Sequence, residues 1–176
     1  VYFPNALPIT VVGLPALPTM TVRVALPTGC SASDMTVTDL SYTPIRGRFT
    51  VIPATEQIPF SLMGSVDIPV PEPDENVYSS GEYFPIRSIE LQNSGVILGI
   101  PVAWLTVYPV RWNPLSGTIE VLESITFSLT CENDPAARTV QRRSLQSESR
   151  SLETVARSVV NPQDVSPSGA VIVDSR

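Results

Sequence analysis

Few residues in this chain are of the types that perform covalent chemistry. It has no His, which removes any Ser-His-Asp or Cys-His arrangement from within it, and most zinc chemistry too. It has no Lys either; all eleven basic residues are Arg, through compositional bias or through escape from a Lys-specific protease nearby. The carboxylates are scattered, and no acid–base pair or cofactor fingerprint is assembled. One local concentration, Glu72, Asp74 and Glu75 in the Pro-rich stretch 68–81, offers the oxygen ligands that a hard cation such as calcium takes. It lacks EF-hand spacing and a fixed turn glycine, so the expectation is a solvated loop, no metal and no cofactor. The chain is not expected to be an enzyme.

Two other sets of residues can act without catalysis. Cys30 and Cys131 are the only cysteines, and each follows a strand-like run. In a secreted chain they would close one long disulfide loop, stabilising by up to ~4.7 kcal/mol in the chain-entropy model; in the cytosol they would be two buried thiols. Arg46 and Arg48 flank Gly47 in a turn-like stretch. From the residues alone, both arginines read as part of a solvated turn.

The elements that must position these residues read as strands. Eighteen Pro and nine Gly in 176 residues call for many turns and few long helices, while 43% hydrophobic residues and a mean hydropathy of +0.16 argue against disorder. A net charge of −6 argues against a nucleic-acid partner, since phosphate binding needs a basic surface. No run of about 18 apolar residues is present to span a membrane. Nor does a basic region with an apolar core open the chain, so Val1 reads as an internal or processed start.

In order, Thr19–Leu26 alternates as a half-buried strand, with Met20, Val22, Val24 and Leu26 on one face. Pro4, Pro8, Pro15, Pro18 and Pro27 restrict the lead-in to coil or sheet edge. Residues 34–52 read as a strand pair around a turn at 42–48. Four runs then follow (86–91, 96–108, 118–122, 125–130), with a hairpin whose turn is Asn113, Pro114, Leu115, Ser116 and Gly117. After Cys131 the composition turns to Ser, Glu and Arg. Leu145, Leu152, Val155 and Val159 recur at helical spacing, so a helix is expected over about 147–160, stopped by Asn161 and Pro162. The expected fold is all-β, an antiparallel, jelly-roll-like β-sandwich with a short C-terminal helix. Its expected parts are a sandwich core over 1–131 and an Arg/Ser-rich segment with helix and linker over 132–176.

The wording of several segments goes further than their pattern. The stretch 108–130, YPVRWNPLSGTIEVLESITFSLT, resembles the last hairpin of the N-terminal propeptides of gingipain-type cysteine peptidases. Residues 13–29 resemble their opening, with Pro15, Leu17 and Pro18, a strand, then Leu26, Pro27 and Gly29. Residues 53–60 are similar to a Pro- and Gln-containing segment that follows a loop laid across the peptidase. A helix followed by Val159, Val160 and Asn161 is similar to the end of the propeptide.

The resemblance implies a domain made beside a secreted or cell-surface cysteine peptidase, assisting its folding and keeping it latent by covering its active-site cleft until proteolysis removes the cover. The implied partner is the catalytic domain of the same precursor. Arg46, Gly47 and Arg48 are the inhibitory-loop candidates by chemistry. Counting back without gaps from Gln57, Ile58 and Pro59, the family's blocking residue falls instead on Val51. Arg143 and Arg176 are candidate processing sites. The alternative from another class is a structural or adhesive cell-surface β-sandwich that self-associates through exposed strand edges, with no peptidase partner.

Overall fold

A computed structural model describes residues 3–56, 71–138 and 145–165. The elements are β1 (Leu7–Pro8), β2 (Pro18–Ala25), β3 (Cys30–Ile45), α1 (Glu75–Tyr78), β4 (Ile89–Ile97), β5 (Ile100–Val107), β6 (Val110–Asn113), β7 (Thr118–Asn133) and α2 (Leu145–Ala156). They form two sheets, ordered β1-β2-β5-β4 and β3-β7-β6. The fold is all-β and sandwich-like with one short helix near its C-terminal end, as the composition and turn spacing require.

Two compact units are distinguishable, and the long strands β3 and β7 contribute one end to each. The first comprises Val1–Met20, Asp39–Ile89 and Val107–Thr126. Its core is Leu17, Val110 and Trp112, with Phe84, Ile119 and Val121 packed against them. The β6–β7 hairpin forms where its turn residues predict. Asn113 pairs with Thr118 and Trp112 with Ile119, and Gly117 takes the positive φ of 71° that closes the turn.

The second unit comprises Thr21–Thr38, Glu90–Thr106 and Phe127–Arg176, and β5 is its centre. Val102, Ala103 and Leu105 have no exposed surface, because both faces of β5 are covered. Ile100 and Val102 pack with Ala25 against Val155 and Val159 of the helical segment; Ala103 packs with Leu26 and Cys30. Period-two alternation along the strand thus feeds two apolar clusters, each buried Val or Ile contributing about 1.5–3 kcal/mol. Cys30 and Cys131 form a disulfide with Cα atoms 5.5 Å apart, tying the start of β3 to β7.

Helix α2 ends at Ala156, short of the expected end near 160, so Asn161 does not stop it; Asn161 instead ties the segment after the helix to β2. Its side-chain oxygen accepts from the Ala25 N–H (2.8 Å) and its amide donates to the Ala25 carbonyl (2.9 Å), while the Val160 N–H donates to the Arg23 carbonyl. Strand β1 pairs only with Pro18 and Thr19, so this C-terminal segment takes over backbone groups of β2 farther along.

Three expectations at element level are corrected. The run 96–108 is two strands, β4 and β5, reversed by Leu98 (φ 52°) and Gly99 (φ 87°); a leucine in a left-handed turn position carries no turn signal. The runs 118–122 and 125–130 are one continuous strand, β7. Residues 34–52 are not a strand pair: β3 runs unbroken from Cys30 to Ile45, and an irregular strap follows it rather than a second strand.

Candidate functional site

The strap from Arg46 to Ala54 in the first unit is exposed along part of its length, yet held by its backbone. β3 ends at Ile45, and the chain bends at Arg46 and Gly47. The φ of Gly47 is 134°, and a Cβ there would lie 3.0 Å from the Phe49 ring, so glycine alone fits. Arg48 extends over Gly117, where an added Cβ would strike its stem, and its Nη2 donates to the Leu115 carbonyl at 3.4 Å. Phe49 is fastened on both sides of its backbone: its N–H donates to the Gly117 carbonyl (2.7 Å), and its carbonyl accepts from Trp112 Nε1 (3.0 Å).

Beyond Phe49 the strap splits inward and outward. Val51 packs against the core of Leu17, Val110 and Trp112, and its carbonyl accepts from the Tyr78 hydroxyl (3.0 Å). Tyr78 is itself set edge-on to Trp112 with ring centroids 5.2 Å apart. Ile52 turns the other way and is 72% exposed. Its carbonyl accepts from the Ala16 N–H (3.0 Å), the Ala54 N–H donates to the Leu14 carbonyl (2.7 Å), and the Gly13 N–H donates to the Ala54 carbonyl (3.1 Å). Pro53 bridges to Pro15 between these bonds. A groove of about 770 Å³, lined among others by Phe3, Leu7, Leu17, Phe49, Val51 and Ile52, opens beside the strap.

The hairpin behind the strap is stiffened by a half-buried charge cluster. Register places Arg111 opposite Glu120, and they form an ion pair with Nη2 2.6 Å from Oε2 and Nε 2.7 Å from the same oxygen. The guanidinium lies 3.6 Å from the Tyr42 ring centroid and 4.5 Å from that of Tyr83, a stacked cation–π arrangement. The Tyr83 hydroxyl donates to Glu120 Oε1 at 3.0 Å. Burial first, and then Glu120, raise the Tyr83 pKa above its ordinary 10.0; burial alone raises that of Tyr78. Tyr42 and Ser88 share a hydrogen bond through their hydroxyls.

The structure thus collects Arg46, Gly47, Arg48 and Val51 on one strap, with the first three exposed and Val51 turned inward. Gln57, Ile58 and Pro59 lie outside the described residues, as do the candidate processing sites Arg143 and Arg176. Asp74 is the N-cap of α1, accepting from the Asn76 and Val77 N–H groups, a structural use of one carboxylate in the acidic stretch. Glu72 and Glu75 are exposed, and among the described residues no three His, Cys, Asp or Glu are gathered as metal ligands. No described helix is long and apolar enough to cross a membrane. Sequence reasoning missed Ile52 and the Arg111–Glu120 pair. The pair was countable from the turn, since Asn113 opposite Thr118 forces Arg111 opposite Glu120; the outward turn of Ile52 carried no such signal.

A family model described as Propeptide_C25 matches residues 3–162. Among solved structures, the complex of the pro- and mature domains of RgpB from Porphyromonas gingivalis aligns with a TM-score of 0.65 at 14% identity, covering 92% of this chain and 79% of that one. A structure addressing the zymogenic latency of gingipain K from the same organism aligns with a TM-score of 0.52 at 19% identity, covering 73% of this chain and 71% of that one. At such identities the likeness speaks for the fold. No curated protein matches.

Proposed function

Because this chain belongs to the Propeptide_C25 family, the non-catalytic part of gingipain-type cysteine peptidase precursors, we propose that it keeps such a peptidase latent and helps it fold. The catalytic domain of the same precursor is the partner, and the strap from Arg46 to Ala54 lies over its active-site cleft until proteolysis removes the chain. The observation that carries this reading is the strap itself. Its side chains reach solvent at Arg46, Arg48 and Ile52, while its backbone is fixed at Phe49, Ile52 and Ala54 by hydrogen bonds to the rest of the unit.

A segment covering a peptidase must offer side chains without letting its own carbonyl carbons relax into attack geometry. Fixing the backbone beforehand meets that need and lowers the entropy lost on docking. The precursor is secreted in this reading, in keeping with the Cys30–Cys131 disulfide, a bond that persists in oxidising compartments. The test is to add the purified chain in trans to the mature peptidase of its precursor. We expect a 1:1 complex on size-exclusion chromatography and loss of activity at submicromolar concentration. Full activity at micromolar chain would end the proposal.

A further inference from the structure

We propose, resting on the latency reading above, that the Cys30–Cys131 disulfide makes dismantling of the cover a two-key event. A peptide bond inside the loop that the disulfide closes must be cut, and the disulfide must then be opened by a low-molecular-weight thiol. The two cysteines are 101 residues apart, and the strap lies between them, as do the exposed Arg46, Arg48 and Arg87. A protease cutting after any of these arginines hydrolyses one peptide bond with one water, yet the two pieces remain one covalent molecule. Cuts outside the loop, as after Arg23 or Arg150, part the chain directly but leave the strap and the β6–β7 hairpin on one piece.

What the link keeps together is the strap and its support. A cut after Arg87 puts the strap on the N-terminal piece, and the Gly117 and Trp112 groups that hold Phe49 on the C-terminal one. Joined through sulfur, the pieces meet at an effective concentration of about millimolar; parted, they meet only at their concentration in solution, so the link is worth about 10²- to 10⁴-fold in apparent affinity. The order of the keys follows from burial. Cys30 is 7% exposed and packs with Leu26 and Ala103, with Leu91 and Leu129 against them, while Cys131 is exposed. An external thiolate attacking Cys131 would have to expel the Cys30 thiolate into that apolar cluster, where it is a poor leaving group. Arg46 and Arg48 follow β3, and Arg87 precedes β4. These strands carry Cys30 and Leu91, so a cut at either place loosens the cluster. Two external thiols then yield two cysteine thiols and one external disulfide. The reductant that keeps a cysteine peptidase's nucleophile a free thiol is thus the one that parts a cut cover.

The test measures binding of the full chain to the mature peptidase of its precursor, with the catalytic cysteine changed to serine so that no thiol is needed to keep it competent. A recognition sequence for a site-specific protease is inserted at the β4–β5 turn, inside the disulfide loop, where Leu98 is 43% exposed and the space beside Gly99 is open. If that insertion does not fold, limited trypsin on the unsubstituted chain replaces it. With no Lys present, trypsin cuts only after Arg, and a cut inside the loop shows by mass spectrometry as the intact mass plus one water until thiol divides it. The uncut chain should bind with the same Kd, within about threefold, with and without dithiothreitol, and so should the cut chain without it. Cut and reduced, binding should weaken at least about 100-fold. In the double variant Cys30→Ser, Cys131→Ser, the cut alone should have that effect. Binding lost on cutting without thiol, lost on reduction without cutting, or kept after both overturns the two-key release while leaving the latency reading intact. If the uncut chain does not bind at all, both fall.

Discussion

At the scale of single residues, the strap's support depends on one ion pair, one glycine and two phenols. Glu120→Gln would leave the Arg111 guanidinium stacked between Tyr42 and Tyr83 without its counter-charge. The expected loss is about 1–3 kcal/mol, read from urea unfolding. Gly117→Ala would force an L-residue to φ 71° and drive its Cβ toward Arg48 and the Phe49 backbone. The left-handed conformation alone costs about 1–2 kcal/mol, and the strap should loosen with it.

Tyr78 and Tyr83 add a pH dependence on the alkaline side. Their folded pKa values lie above 10.0, so in the folded state they keep their protons longer than in the unfolded chain. Their contribution is complete at neutral pH and is lost as pH rises from about 10 through the higher folded values. Stability should therefore fall as pH rises above about 10, and fall less steeply in Tyr83→Phe. Denaturant midpoints across that range would check it.

Among the elements, α2 and the segment after it are the most exacting. Val155 has no exposed surface, and Val155→Ala should cost about 1–3 kcal/mol through the cavity left against Val102 and Ile100. Asn161→Ala would strip partners from the Ala25 N–H and carbonyl, with a comparable loss. Hydrogen exchange should then quicken first at Ala25 and along α2. Val155 was legible in the sequence, because an amphipathic helix declares itself by its spacing; the role of Asn161 was not, because the helix ends at Ala156 and the partner of Asn161 is Ala25, far away in the chain. The β6–β7 hairpin was legible too, with Asn113, Pro114 and Gly117 each meeting a specific backbone demand. The Leu98–Gly99 reversal was hidden, since Leu is a poor left-handed residue and stands inside an unbroken apolar run. The strap was half legible: Gly47 and its arginines marked a turn, but which of Val51 and Ile52 faces the core depends on Tyr78 and Trp112, far away in the chain.

The disulfide between Cys30 and Cys131 closes a loop of about a hundred residues, for which chain entropy gives about 4.7 kcal/mol; reduction should lower the melting temperature by many degrees. The sequence marked the two cysteines as a possible pair, but their meeting at 5.5 Å depends on β3 and β7 being neighbours, which no local pattern encodes. The central claim is that the chain covers the active site rather than merely binding the enzyme. An alkylating probe directed at the catalytic cysteine of the mature peptidase tests this most directly, with labelling rates compared with and without saturating chain. The account predicts a labelling rate at least about tenfold lower in the complex, as expected when one tight occupant excludes another. A stable complex in which the cysteine is labelled at the unchanged rate would contradict it.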